Sequence, residues 1–299
     1  MIGHKVKLGG VLAVAVLLVG CSQSSSESAP APGGDAQQLP STVAPGSGES
    51  TLECRVGDER LTEISGIAAS FQHPGILWTH NDSGGGPRVY ALDSETCEVR
   101  ATVTMSGVEA VDVEAIAVGQ NSAGDPIIWV ADIGGNTVRR SNVWLHSFAE
   151  PEQLRDQQVE VTSSAITYSD EPGDSESLLV ESKPNGRMWI VSKRQSSQGK
   201  FYALPEGFGP SSRSATVRPV GAAPWLATDA SFSPRGDQFV VRTYLGARMY
   251  QGVPPGDDER GLDVPSQGQG EAITFSTDAS AVYTISEGSN SALWRTPIG

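Results

Sequence analysis

The chain has 299 residues, with 35 acidic against 21 basic side chains and a net charge of −14 at neutral pH. Such an acidic balance excludes nucleic acid and anionic lipid surfaces as electrostatic partners, and it suits bound divalent cations.

The first elements in chain order concern export. His4, Lys5 and Lys7 stand without an acid before the apolar run Val11–Val19. The run is too short to span a bilayer and fits the core of a signal peptide. Leu18-Val19-Gly20-Cys21 has the form of a lipobox, in which the Cys21 sulfur takes a diacylglyceryl group. The other reading is an ordinary secretory signal with an incidental cysteine. Residues 1–20 are therefore expected to be removed with Lys5 and Lys7, which leaves a charge of −16. Cys21 is then expected to anchor the chain to the cell membrane on its extracytoplasmic face. Residues 21–50 are rich in Ser, Ala, Pro and Gly and predict a flexible tether. Cys54 and Cys97 remain for an oxidising compartment, where a disulfide is expected rather than two free thiols.

Residues 51–299 read as all-β, with short β-branched and aromatic runs between Gly, Pro, Asn and Asp turns. Five segments share one pattern, a polar residue that opens a short apolar strand: Ser65, Glu114, Glu176, Asp229 and Glu271. A second strand follows each, as in Ile76–His80 and Ile127–Ala131, then a third, as in Arg88–Leu92 and Val143–His146. Fourth strands fit residues 98–104, 158–167 and 214–220. The spacing matches a four-stranded propeller blade and predicts a five-bladed β-propeller. A six-bladed version needs a further blade between residues 132 and 176. The last repeat lacks an outer strand, which residues 51–57 are expected to supply, pairing the N-terminal segment with the last blade and placing Cys54 beside Cys97. Trp78, Trp129 and Trp189 recur at one repeat position and are expected to pack between blades.

Innermost strands face a central channel, so Ser65, Glu114, Glu176, Asp229 and Glu271 are expected at one level of it. Converging carboxylates repel, and protons, water or a cation must offset that repulsion. An all-oxygen donor set suits calcium, whereas the alternative is a solvated polar channel without metal. Around one mouth come the residues that follow the second strands: Asn81, Asp82, Asp132, Lys193, Arg194, Arg242 and Glu287. Lys193, Arg194 and Arg242 are candidates to hold a small anionic ligand, with Asn81 and Glu287 beside them. Asp82 or Asp132 can serve as a base toward water, although both also lie in good turn sequences.

The strings Glu63-Ile-Ser65-Gly-Ile, Val113-Glu114-Ala-Ile-Ala, Ser175-Glu176-Ser and Gly270-Glu271-Ala-Ile resemble the inner-strand motifs of the calcium-activated nucleotidases. Asn81-Asp82-Ser83-Gly84 resembles that family's acidic turn. Through His80-Asn-Asp-Ser-Gly84, Ala131-Asp-Ile-Gly134 and Ser286-Glu-Gly288 the chain also resembles exported phytase-like and esterase-like propellers. The resemblance implies five blades and a central calcium held by Ser65, Glu114, Glu176 and Glu271. It departs at Asp229, where the family carries serine, and in Thr104–Val113, which lacks the family's Gly/Asp-rich loop. The expected function is a calcium-stabilised, monomeric propeller that binds a small anionic ligand or a protein at its mouth. The alternative is a calcium-dependent hydrolase of phosphate or other esters.

Overall fold

The computed structural model describes residues 48–135, 140–171 and 173–299. The expected signal segment, Cys21 and nearly all of the tether lie outside these residues. The described residues form 21 strands and no helix. After β1 (Thr51–Arg55), the first unit is β2 (Ile64–Ala69), β3 (Ile76–Asn81), β4 (Arg88–Asp93) and β5 (Val99–Ser106). The second holds β6 (Ala115–Gln120), β7 (Pro126–Asp132), β8 (Val143–Ala149), β9 (Gln157–Glu160) and β10 (Thr162–Tyr168). The third holds β11 (Ser175–Val180), β12 (Met188–Ser192), β13 (Gly199–Ala203) and β14 (Ser214–Ala223). The fourth holds β15 (Ala227–Phe232), β16 (Gln238–Thr243), β17 (Gly246–Gln251) and β18 (Asp257–Leu262). The last holds β19 (Gly270–Phe275), β20 (Ala281–Ser286) and β21 (Ala292–Pro297).

Within the units, consecutive strands other than β9 pair antiparallel, many of them joined by short polar turns. Between β6 and β7, for example, the Asn121 side-chain oxygen accepts from the amides of Ala123 and Asp125 (2.8 and 2.9 Å), while Gly124 takes φ +90°. The last unit has the order β1-β21-β20-β19, so the N-terminal strand supplies its outer edge, as expected. Cys54 on β1 is bonded to Cys97 in the turn just before the first unit's outer strand, with a Cα separation of 5.6 Å. The expected fourth strand at 158–167 is divided at Val161. Its first half, β9, pairs in parallel with β5 of the first unit, whereas β10 stays antiparallel to β8 and also pairs in parallel with β14. The sequence pattern missed β18, whose Asp257-Asp-Glu-Arg-Gly-Leu262 is exposed until its last residue.

The core is divided into five clusters, each shared by two units. Trp78 and Val130 meet in one, Trp129 and Ile190 in the next, and Trp189 and Val241 in the third. Met249 packs with Ile273 in the fourth, and Ile64 with Leu293 in the fifth. The fifth cluster joins the last unit to the first. The tryptophans therefore fill the spaces between units, and β2, β6, β11, β15 and β19 contact one another in a closed circle. This is an all-β architecture of propeller-like class.

The disulfide spans 43 positions of the chain and secures the strand that completes the last sheet. In the loop-closure model a cross-link of this length contributes about 4 kcal/mol. The double variant Cys54→Ser/Cys97→Ser should lower the urea-unfolding free energy by that order. A loss below about 1 kcal/mol would show that β1 holds the ring without the bond.

Candidate functional site

The site forms where the first strands begin and the second strands end. A cavity of about 530 Å³ opens there, lined by six carboxyl groups (Glu63, Asp82, Glu114, Glu176, Glu271 and Glu287), by Ser65, and by the ammonium of Lys193. Irregularities in strand pairing aim these side chains. Pairing skips from Ile64 to Gly66 in β2, from Ser175 to Ser177 in β11, and from Gly270 to Ala272 in β19. The extra residue in each bulge is Ser65, Glu176 or Glu271. A bulge turns its extra residue out of the ladder, here into the channel mouth.

Ser65 Oγ donates to Glu114 Oε2 at 3.1 Å, while Glu114 Oε1 has no partner among the described residues. Gly134 lies so close that a methyl group there would stand 2.6 Å from Glu114 Oε1 and overlap Asp112 as well. Glu114, Asp174 and Glu176 bring one oxygen each within 4.8 Å of one another. Lys193 Nζ donates to Glu176 Oε1 and to the Tyr244 hydroxyl, each at 2.8 Å, and lies 4.9 Å from the centre of the Tyr244 ring.

The electrostatics follow from burial among like charges. Burial, with Glu176 and Asp112 adding repulsion, pushes Glu114 up to about 10. Burial raises Glu176 to about 8, against the pull of Lys193. Asp112, Asp174 and Glu271 are raised as well, each chiefly by burial. Burial works against the charge on Lys193, but Glu176 and Tyr244 together outweigh it and hold Lys193 above the usual lysine range. The mouth thus favours a bound positive charge or bound protons.

Of the residues expected at the channel, Ser65, Glu114, Glu176 and Glu271 come together and Asp229 does not. In β15 the pairing skips from Ala227 to Asp229, so the bulged residue is Thr228. Asp229 stands one position later and faces the opposite way. Its carboxylate accepts from the amides of Ala230 (2.8 Å) and Ile273 (2.9 Å), which fastens β15 to β19 below the mouth. At the bulged position stands Thr228, whose Oγ1 donates to the Gly270 carbonyl at 3.0 Å.

The candidates around the mouth also separate. Asp82 and Glu287 line the cavity, and Glu287 accepts from Gln269 Nε2 at 2.7 Å. Asn81 instead fastens a turn, donating to the Arg60 carbonyl (2.7 Å) and accepting from the Glu63 amide (3.2 Å). Asp132 is fully buried, accepts from the amides of Val111 (3.0 Å) and Asp112 (3.2 Å), and pairs with Arg140. With its oxygens so engaged it fastens a loop rather than facing water. Arg194 borders a neighbouring cavity beside Gly173 and Asp174. Arg242 is buried against Gly270 and donates to Gln267 at 2.8 Å, so Lys193 alone of the three cations lines the mouth.

Asp112 and Asp174 were missed, and Tyr244 with them. Two of these carried a signal, since Glu63, Asp112, Asp174 and Gln269 each stand two residues before a channel position. In extended chain that spacing repeats one face.

Neither a protein-family model nor a curated protein sequence matches the chain. Among solved structures, the soluble aldose sugar dehydrogenase of Escherichia coli in its apo-form is similar at 9% identity and a TM-score of 0.47. The alignment covers 84% of this chain and 99% of that one. So distant a likeness adds nothing about function.

Asp132→Ala would leave two amides without their acceptor and the Arg140 guanidinium without its counter-charge. The cost should be about 3 kcal/mol in urea unfolding, against less for Asp132→Asn, which keeps an acceptor oxygen. An alanine variant within about 0.5 kcal/mol of wild type would count against the fastening role.

Proposed function

We propose that the chain is a lipid-anchored, extracytoplasmic five-bladed β-propeller whose acidic mouth holds one calcium ion and binds a ligand or partner beside it. The closed circle of five first strands and the five shared cores support the blade count. Between residues 132 and 176, the described strands β8, β9 and β10 all pair with neighbours of the first three units, which speaks against a sixth blade. The lipid anchor rests on the Leu18–Cys21 string alone, and the disulfide agrees with an oxidising compartment.

One observation carries the cation. Among the described residues, the buried carboxylate oxygens left without a hydrogen-bond partner belong to Asp82, Glu114 and Glu271, and all three residues line the same cavity. Buried polar atoms are normally paired, so three partnerless oxygens around one space ask for a positive charge between them. The donors are all oxygen, which suits a hard cation such as calcium. Glu114, Glu176 and Asp174, with Ser65 and Glu271, are the residues that would hold it, and the ion would supply charge neutralisation and a polarising centre. Lys193 already engages one oxygen of Glu176, leaving the other acids for the metal.

A second reading, hydrolysis of phosphate or other esters, is favoured by Asp82. One of its oxygens is partnerless at the cavity wall, where it can accept a proton from water.

Excess calcium should raise the thermal midpoint by roughly 5–10 °C, since a ligand at about 100 times its dissociation constant adds about 2.7 kcal/mol. Glu114→Gln should abolish the shift. No shift, with no calcium in elemental analysis of the same sample, would retire the metal. Assays with nucleotides, phytate and aryl esters decide the hydrolase reading, which requires activity lost both to chelator and in Asp82→Ala. Cys21→Ala should release the protein from the membrane fraction, and retention there would exclude the lipid anchor.

A further inference from the structure

We propose that the mouth selects an organic ammonium with an apolar body, a small amine bearing an aromatic or alkyl group. This rests on the mouth being the ligand site and not on the cation within it. One sector of the rim departs from the acidic pattern. Ala227 and Thr243 are paired at the mouth end of β15 and β16. Leu226 and Trp225 on one side, and Tyr244 and Leu245 on the other, therefore leave the two strands side by side. Trp225 is 47% exposed and Leu245 79%. Leu226 is held at φ +56°, a left-handed backbone unusual for leucine, and strained positions of this kind gather at ligand sites. Leu226 and Tyr244 also line the acidic cavity, so the apolar surface continues into it.

The chain already seats an ammonium there. Lys193 Nζ lies between Glu176 and the Tyr244 hydroxyl at 2.8 Å from each, at the hydroxyl end of the Tyr244 ring, with only a tenth of the side chain exposed. A carboxylate and a phenol oxygen together accept from the ammonium, while the aromatic and apolar surface beside them suits a carbon body. Acids remain for a second such group. Glu63, Asp82, Glu114, Glu271 and Glu287 form no salt bridge among the described residues, and Glu114 and Glu271 each keep a buried oxygen without a partner. Charge decides against an anion. Six carboxyl groups line the cavity against one ammonium, and a divalent cation would still leave negative charge in excess. A polyanion would be repelled. The cavity of about 530 Å³ falls in the range that small organic ligands occupy.

The test is calorimetric titration of the purified full chain with phenethylamine, phenethyl alcohol and phenylacetate, each in calcium and in chelator. Phenethylamine should bind about tenfold or more tighter than the other two. Trp225→Ala and Glu287→Gln, both at exposed or half-buried positions, should each weaken it by about tenfold, with circular dichroism and thermal midpoint unchanged. Three results would overturn the inference: no heat with the amine up to about 10 mM, equal or tighter binding of phenylacetate or the alcohol, or an unaltered Trp225→Ala. A calcium-dependent midpoint shift without amine binding sinks this inference alone. Amine binding without any calcium effect sinks the metal alone.

Discussion

Every unit of this protein depends on the closure of its ring. A four-stranded sheet has two faces, and here each face packs against a neighbouring sheet. Trp78 of the first unit meets Val130 of the second, and Trp129 of the second meets Ile190 of the third. No unit owns a complete core, so none gains its full burial until the last meets the first. That final contact is the cluster holding Ile64, Leu92, Ile285 and Leu293. Two devices secure it, the backbone ladder between β1 and β21 and the covalent bond from Cys54 to Cys97. Both draw on the N-terminal strand, so the chain must fold its beginning onto its end.

Much of this was legible in the sequence. The repeat of apolar runs predicted the strands, and the missing outer strand of the last repeat predicted the place of residues 51–57. Inner strands are readable because both of their faces are buried, which imposes apolar residues at nearly every position. Outer strands are not. β18 carries Asp257-Asp-Glu-Arg, because a strand with one neighbour and an open face needs only its backbone pairing. The division of the second unit's outer strand was hidden for a related reason. Val159 and Val161 pack toward the first two units, whereas Ile166 packs toward the third, so one apolar run serves two cores.

At the mouth, the sequence located the right strands and misjudged one register. Ser65, Glu176 and Glu271 are each the extra residue of a bulge, and alignment by apolar pattern places Asp229 with them. The bulge in β15 falls at Thr228 instead. With a side-chain period of two, one position is the whole difference between facing the mouth and bracing the neighbouring strand. Bulges leave no mark in composition, and the same blindness hid what Asp132 and Arg242 do. Each ends or nearly ends a second strand, but the partners that claim them, the amides of Val111 and Asp112 and the side chain of Gln267, come from loops of variable length.

Buried acids elsewhere in the ring are fully engaged. Glu150 accepts from the Trp78 indole at 2.6 Å and from the amides of Phe71 and Gln72. Glu181 is held by Arg187 and Lys183, which, against burial, keep it down at about 2. Asp132 and Asp229 are taken up by backbone amides. The fold therefore has ample means to satisfy a buried carboxylate, and it uses them wherever the acid is part of the framework. At the mouth alone among the described residues it leaves carboxylate oxygens unpaired, and it places them together where each raises the cost of ionising the next. Such an arrangement weakens the folded state. Buried carboxylate oxygens left unpaired and gathered at one cavity make it the candidate place for a ligand. The unpaired groups that line this cavity are acids, which is the ground for proposing a positively charged ligand there.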